Sequence, residues 1–209
     1  MKKSIFWIYI FFIHFLVISC NEESNSTSQS TDCEEEACIL SLNNFLINLS
    51  ISMNPYDNEN IEEISDFENY FGILDGATDG YDSEYDILEP PSGVGNWINL
   101  YFPHPEWNHN LGDNFTQDIR DSILLNQQDR TITWDFNIES NASGTATLNF
   151  NIFENYCYNC IESIELDVDG NTYLIPLYQL NELDILISIG NYDIVSCSLV
   201  VTFLDFNAI

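Results

Sequence analysis

The sequence predicts an all-β protein, an antiparallel β-sandwich of jelly-roll or Ig-like kind with a long Pro/Gly/aromatic-rich excursion. Three observations carry this. Apolar and polar residues alternate over short runs, the period of a strand with one face buried. Turn-favouring pairs, Asp169-Gly170 and Gly190-Asn191, separate some of these runs. No stretch of useful length carries a helical repeat, although residues 54–66 and 118–128 have room for a turn or two.

In order along the chain, Ile47, Leu49, Ile51 and Met53 alternate with Asn48, Ser50 and Ser52 and make the first strand. Ile132, Trp134, Phe136 and Ile138 share one parity, as do Ala146, Leu148, Phe150 and Ile152. Ile164, Leu166 and Val168 lead into Asp169-Gly170, and Tyr173, Ile175 and Leu177 return from it as a core-facing row. Ile185, Ile187 and Ile189 precede the last strand, marked by Val195, Cys197, Leu199, Val201 and Phe203. Short strands at this spacing, with turns between them, are the pattern of a sandwich. The segment from Leu74 to Arg120 breaks the pattern with Pro90, Pro91, Pro103 and Pro105, which disfavour a central strand. It reads as an ordered excursion packed on the sandwich, with residues 97–102 as a strand inside it.

The amino terminus has a separate logic. Lys2 and Lys3 precede an apolar run from Ile5 to Ile18 that ends at Cys20. The run is short for a bilayer span, which needs ~20 apolar residues. Its layout is that of a secretory signal, and its ending resembles the bacterial lipoprotein signal, in which a cysteine at the place of Cys20 carries lipid. Residues 1–19 are therefore expected to be a signal peptide, 20–38 a lipidated acidic tether, and 39–209 the sandwich domain. Loss of Lys2 and Lys3 leaves Arg120 and Arg130 against 34 acids, a net charge of −32. Such a surface repels phosphate backbones, which excludes nucleic acid as a partner. It also repels anionic lipid, so attachment to a membrane has to be through the lipid anchor. Apolar residues make up 45% of the chain and charged ones 18%, enough to build a core.

Candidate chemistry lies in four places. Between Asp75 and Asp86, five carboxylates fall in twelve residues. Counted from Asp75, acids stand at positions 1, 5 and 12, with Gly80 at 6 and Ser83 at 9, a partial match to an oxygen-ligand calcium loop. Asp75, Asp79, Asp82, Ser83 and Asp86 are the expected Ca2+ ligands; otherwise no cofactor is expected. His104, Glu106 and His109 have poor spacing for zinc, and His104 precedes a proline, so aromatic packing is the expected role of that loop. Cys33, Cys38, Cys157 and Cys160 suit disulfides in an exported protein, as local bridges or as staples between the two pairs; a four-thiolate zinc site is the other possibility. Cys197, on the core parity, is expected to be a buried free thiol. The two arginines, being so few, are expected to bridge acids of neighbouring segments. Trp97, Tyr101 and Trp107 are candidates for stacking on sugars. No nucleophile–base pair or phosphate loop stands out, so no catalytic residue is expected.

Gly76-Ala-Thr-Asp-Gly-Tyr-Asp82, Asp86-Ile-Leu-Glu-Pro-Pro91, Tyr101-Phe-Pro-His-Pro-Glu-Trp107 and Phe115-Thr-Gln-Asp-Ile-Arg120 occur in that order before Trp134. This string resembles a β-sandwich region of large surface and secreted proteins of Gram-negative bacteria that use type IX secretion. The resemblance runs from about Gly72 to Phe203 and implies a non-catalytic module. No sorting domain is expected after Phe203; lipid on Cys20 would take its place as anchor. Glu22 and Glu23 also resemble surface-export signals of lipoproteins in those bacteria. The expected function is lipid-anchored, non-catalytic binding of a carbohydrate or envelope protein at the cell envelope, at the outer membrane. A structural accessory of an envelope or secretion assembly is the alternative, and a hydrolase the third reading.

Overall fold

Strands whose apolar residues fall on one parity can bury that face only against a second layer. The computed structural model, which describes residues 44–56, 62–121, 131–152 and 161–204, does this with two sheets. In chain order the strands are β1 (Phe45–Pro55), β2 (Ile64–Leu74), β3 (Ile98–Pro103), β4 (Asn114–Phe115), β5 (Gln117–Asp121), β6 (Thr131–Ser140), β7 (Gly144–Ile152), β8 (Ile161–Val168), β9 (Asn171–Ile175), β10 (Ile185–Ile189) and β11 (Asp193–Phe203). One sheet has the order β10-β7-β1-β2-β5 and the other β4-β3-β6-β11-β8-β9. The chain is an all-β sandwich.

The alternating rows face one another as expected. Ile47, Leu49, Ile51 and Met53 from the first sheet pack in one core with Trp134, Phe136, Ile138, Leu166, Leu199 and Val201 from the second. Burying side chains of this size stabilises by ~1.5–3 kcal/mol each before the entropy of ordering is counted. The Asp169-Gly170 pair joins β8 to β9 with φ of 48° and 82°, the two positive values that a type I′ hairpin requires. Asn48, a buried polar residue of β1, is satisfied by donating to Phe67 O at 2.7 Å and Asn69 O at 3.1 Å. It stands beside the β1–β2 register shift between Leu49 and Ile51.

Several expectations need correction. The ladders are antiparallel except one: β5 runs parallel to β2, with Tyr70 beside Gln117 and Leu74 beside Asp121. The chain leaves β2, visits the other sheet through β3 and β4, and re-enters alongside β2 in the same direction. Of the stretches with room for a helical turn, Asn54 and Pro55 end β1, Ile64 begins β2 and residues 118–121 belong to β5, while 57–61 and 122–128 lie outside the described residues. Among the described residues the short 3₁₀ turns are Pro105–Trp107 and Leu177–Glu182. Tyr173 is exposed rather than core-facing, and Leu177 lies in the second 3₁₀ turn. The strand read at 97–102 within the excursion spans Ile98–Pro103 and is an integral strand of the second sheet, paired with β6.

The excursion proper, residues 75–97, has a definite task. Its 87–89 stretch lies against β4: Thr116 N donates to Ile87 O at 2.8 Å and Glu89 N to Asn114 O at 2.9 Å. Leu88 forms a bridge with Phe115. The segment thus covers one end of both sheets, where β4 and β5 would otherwise present open edges.

Candidate functional site

The excursion also roofs part of the outer face of the second sheet. On β3, Ile98, Leu100 and Phe102 point to the core, which sends Asn99 and Tyr101 outward. Asn99 stands opposite Glu139 of β6. Over them lie Glu89, Pro90, Pro91 and Ser92, and beside them Asp113 and Asn114 from the β3–β4 connection. Together these residues line a cavity of about 360 Å³. Asn99 Nδ2 donates to Ser92 Oγ at 3.0 Å, tying wall to roof. Tyr101 is only 6% exposed although it points away from the core, because the roof covers it. Its hydroxyl stands 3.5 Å from Glu139 Oε2.

The electrostatics of the cavity are one-sided. Among the described residues its lining carries the carboxyls of Glu89, Asp113 and Glu139 and no lysine, arginine or histidine. Burial, with the charge of Asp66 adding to it, pushes the Glu89 carboxyl up to about 8, so it is mostly protonated at neutral pH. Glu89 Oε2 is buried without a hydrogen-bond partner. Burial and the neighbouring Glu139 also raise the Tyr101 phenol. What the arrangement offers is a set of amides, a phenol and carboxyls beside two proline rings, suited to hydrogen-bonding a neutral, hydroxyl-bearing ligand.

A second cluster lies under the β3–β4 connection. Arg120 donates to Asp118 through Nε at 3.0 Å and Nη2 at 2.8 Å. His104 Nε2 lies 3.2 Å from the same Asp118 carboxylate, within ion-pairing range but off the line of a directed hydrogen bond. His104 Nδ1 meets Glu106 Oε1 at 2.7 Å. Burial alone would raise the Asp118 carboxyl, but the close approach of His104 and the hydrogen bonds and charge of Arg120 outweigh it and hold it below the carboxylate range. Burial alone would lower His104, but Asp118 and Glu106 outweigh that and raise it. Arg120 also lies over the Trp134 ring at 5.2 Å, while Trp134 Nε1 donates to Asp118 O at 3.2 Å. The cluster locks the excursion side of the molecule to β5 and β6. Arg120 was expected to bridge acids of neighbouring segments; its hydrogen bonds go to Asp118 of its own strand.

The acidic loop is held by main-chain hydrogen bonds. Asp86 is buried, its Oδ2 accepting from Asp82 N at 2.7 Å and its Oδ1 from Ile119 N at 3.3 Å. Asp82 Oδ1 accepts from Glu84 N at 3.0 Å, and Asp79 Oδ1 from Asp121 N at 3.4 Å. Asp75 donates its N–H to Asn44 Oδ1, and its carbonyl accepts from Tyr85. Ser83 is exposed. Among the described residues no group of three or more His, Cys, Asp or Glu that could hold a metal ion is found. Two of the five carboxyl side chains satisfy main-chain amides of the edge strand β5. Burial pushes Asp86 up to about 6.

Of the three stacking candidates, Tyr101 lines the cavity and is 6% exposed. Trp107 stacks flat on His104, centroids 3.7 Å apart and planes at 4°, and meets Phe115 edge-on. Trp97 is half-buried, and its main chain is tied to Ser140 and Asn141. The three do not form one platform. Cys197 is buried and free, its thiol pushed up to about 12 by burial first and by Asp169 and Asp167 next. Cys20, Cys33, Cys38, Cys157, Cys160 and Arg130 lie outside the described residues. Sequence reading did not single out Glu89, Asn99, Asp113 or Glu139. The one signal for them was parity, since Asn99 and Tyr101 alternate with Ile98, Leu100 and Phe102.

No family model matches the chain, and neither a curated protein nor a solved structure matches it.

Proposed function

We propose that this chain is a lipid-anchored, extracytoplasmic binding module of the bacterial cell envelope, and that its ligand is a neutral carbohydrate held in the cavity between Glu89, Asn99, Tyr101 and Glu139. The cavity carries this reading: it is concave, near the low end of the ~300–1,000 Å³ range of ligand sites, and joins apolar proline surface to hydrogen-bonding groups. Sugar hydroxyls both donate and accept, which suits a wall of carboxyls, amides and a phenol. The absence of any cation from the lining speaks against phosphorylated, sulfated or uronic ligands. The signal-like segment ending at Cys20 supports the anchor and the compartment. A glycan array tests the ligand class: wild-type protein should retain neutral saccharides, and Asn99→Ala and Glu139→Gln should lose them. Equal retention by wild type and both variants would sink the assignment of the site.

One observation favours a second reading, glycoside hydrolysis. Glu89 and Glu139 share the cavity, and a carboxyl near 8 stays protonated at neutral pH as a general acid must. Release of free sugar from a bound saccharide, abolished by Glu139→Gln, would select this reading; stable binding without turnover selects the first.

A further inference from the structure

The excursion does not reach the opposite side of the sandwich, which no described segment covers. At the covered side, Ile87 O and the carboxylates of Asp79 and Asp86 take up main-chain amides at β4 and β5. At the far side, β9 ends one sheet and β10 ends the other, each paired on one flank only among the described residues. Such edges are ready templates for another strand, and proteins usually blunt them with lysine, a bulge or a cover. Here β9 pairs with β8 without a register break from Val168–Asn171 to Ile164–Ile175, and no lysine lies between Met1–Lys3 and the end of the chain. Between the two edges runs an apolar groove of about 430 Å³, lined by Tyr173, Leu174, Pro176, Leu183 and Leu186. Leu174 is 70% exposed and Leu186 67%. Two leucines this open beside a concave apolar surface mark an interaction site more than a solvated face.

The charges around the groove select its occupant. Asp184 lines it, and Leu174 stands opposite exposed Glu165 of β8. A second copy of a chain with so few cations would bring like charge to this rim. We infer that the β9–β10 edge docks an extended segment of a partner protein in which apolar residues alternate with lysine or arginine. Its main chain would add to a free edge, its apolar side chains would enter the groove beside Leu174 and Leu186, and its cations would face Asp184 and Glu165.

Fluorescence anisotropy with labelled peptides tests this on the full-length protein in detergent at about 0.15 M salt, where charges far from contact are screened. The probes are alternating valine–lysine, serine–lysine and valine–glutamate peptides of equal length. The valine–lysine peptide should bind saturably, and at least tenfold more weakly to Leu174→Ser/Leu186→Ser. These positions are exposed, so the variant should keep the wild-type melting temperature. Equal binding of the serine–lysine peptide, equal binding of the valine–glutamate peptide, or unchanged affinity in the double variant would each overturn the inference. Sedimentation of the free protein supplies the remaining arm: a wild-type dimer that the double variant dissolves would give the edge to a second copy and overturn it as well.

Discussion

Asp118 and Arg120 lie two residues apart on the short edge strand β5, and the guanidinium grips the carboxylate through two hydrogen bonds of 3.0 and 2.8 Å. The Asp118 side chain is 1% exposed. Its charge therefore survives only because Arg120 and His104 face it, and this pairing holds the excursion side of the molecule to the sandwich. Removing one partner from a buried pair costs about 3–5 kcal/mol because it leaves the other charge uncompensated. Asp118→Ala should lower the stability read from urea unfolding by about that amount. A loss under about 1 kcal/mol would mean that the cluster is not structural.

Glu89 gives a pH dependence whose sign can be worked out. Its carboxyl has an ordinary value of 4.5 and is pushed up to about 8 in the folded chain. Between those values the folded protein holds a proton that the unfolded chain has released, so stability from this group is full below 4.5 and is lost as pH rises to about 8. Asp86, pushed from 3.8 to about 6, adds a loss in that lower window. Asp118 and Glu106, held low, act only at the acid end, losing stability as pH falls below their ordinary values. Thermal unfolding should show wild type and Glu89→Gln matched at pH 4.5 and the variant more stable at pH 9. Curves that run parallel across the range would contradict the assignment.

Gly72 sits in the middle of β2, paired with Leu46 of β1. A Cβ there would stand 2.0 Å from Phe45 O, a clash with main chain that no rotamer relieves. Gly72→Ala should cost about 2 kcal/mol or more, since the ladder between two central strands would have to move. Gly93→Ala is the control, because its Cβ meets open space. Equal melting temperatures for the two variants would show that β1 and β2 do not approach as described.

Cys197 is buried among the core residues of β11, with its thiol pushed up to about 12. Alkylation depends on exposed thiolate. Peptide mapping after iodoacetamide treatment at pH 8 should find Cys197 unlabelled in the native protein and labelled in urea. Native labelling as fast as in urea would place β11 outside the core.

The sandwich was legible where one face of a strand meets the core and the other meets water. β6, β7, β10 and β11 declare themselves by parity alone, and Asp169-Gly170 announces its turn. β2 hid because Phe71, Gly72 and Ile73 are buried in succession while Phe67 is exposed, so no alternation reaches the sequence. β5 hid because its QDIRD sequence is polar: Asp118 and Arg120 neutralise one another in three dimensions, which a one-dimensional pattern does not encode. The acid-rich loop was read as a cation site from density of charge. What that density does not show is that two of its carboxylates accept from the amides of Ile119 and Asp121, partners remote in sequence. The cavity was illegible for the same reason, since residues 89–92, 99–101, 113–114 and 139 meet only after the excursion folds over β3.

The central claim is that a neutral saccharide occupies the cavity over β3 and β6. A crystal structure of the protein soaked with the best-retained saccharide from the array tests this most directly. The expected result is a sugar ring beneath Pro90 and Pro91, hydrogen-bonded to Asn99, Tyr101 and Glu139. A saccharide bound elsewhere on the molecule with this cavity holding only water would contradict it.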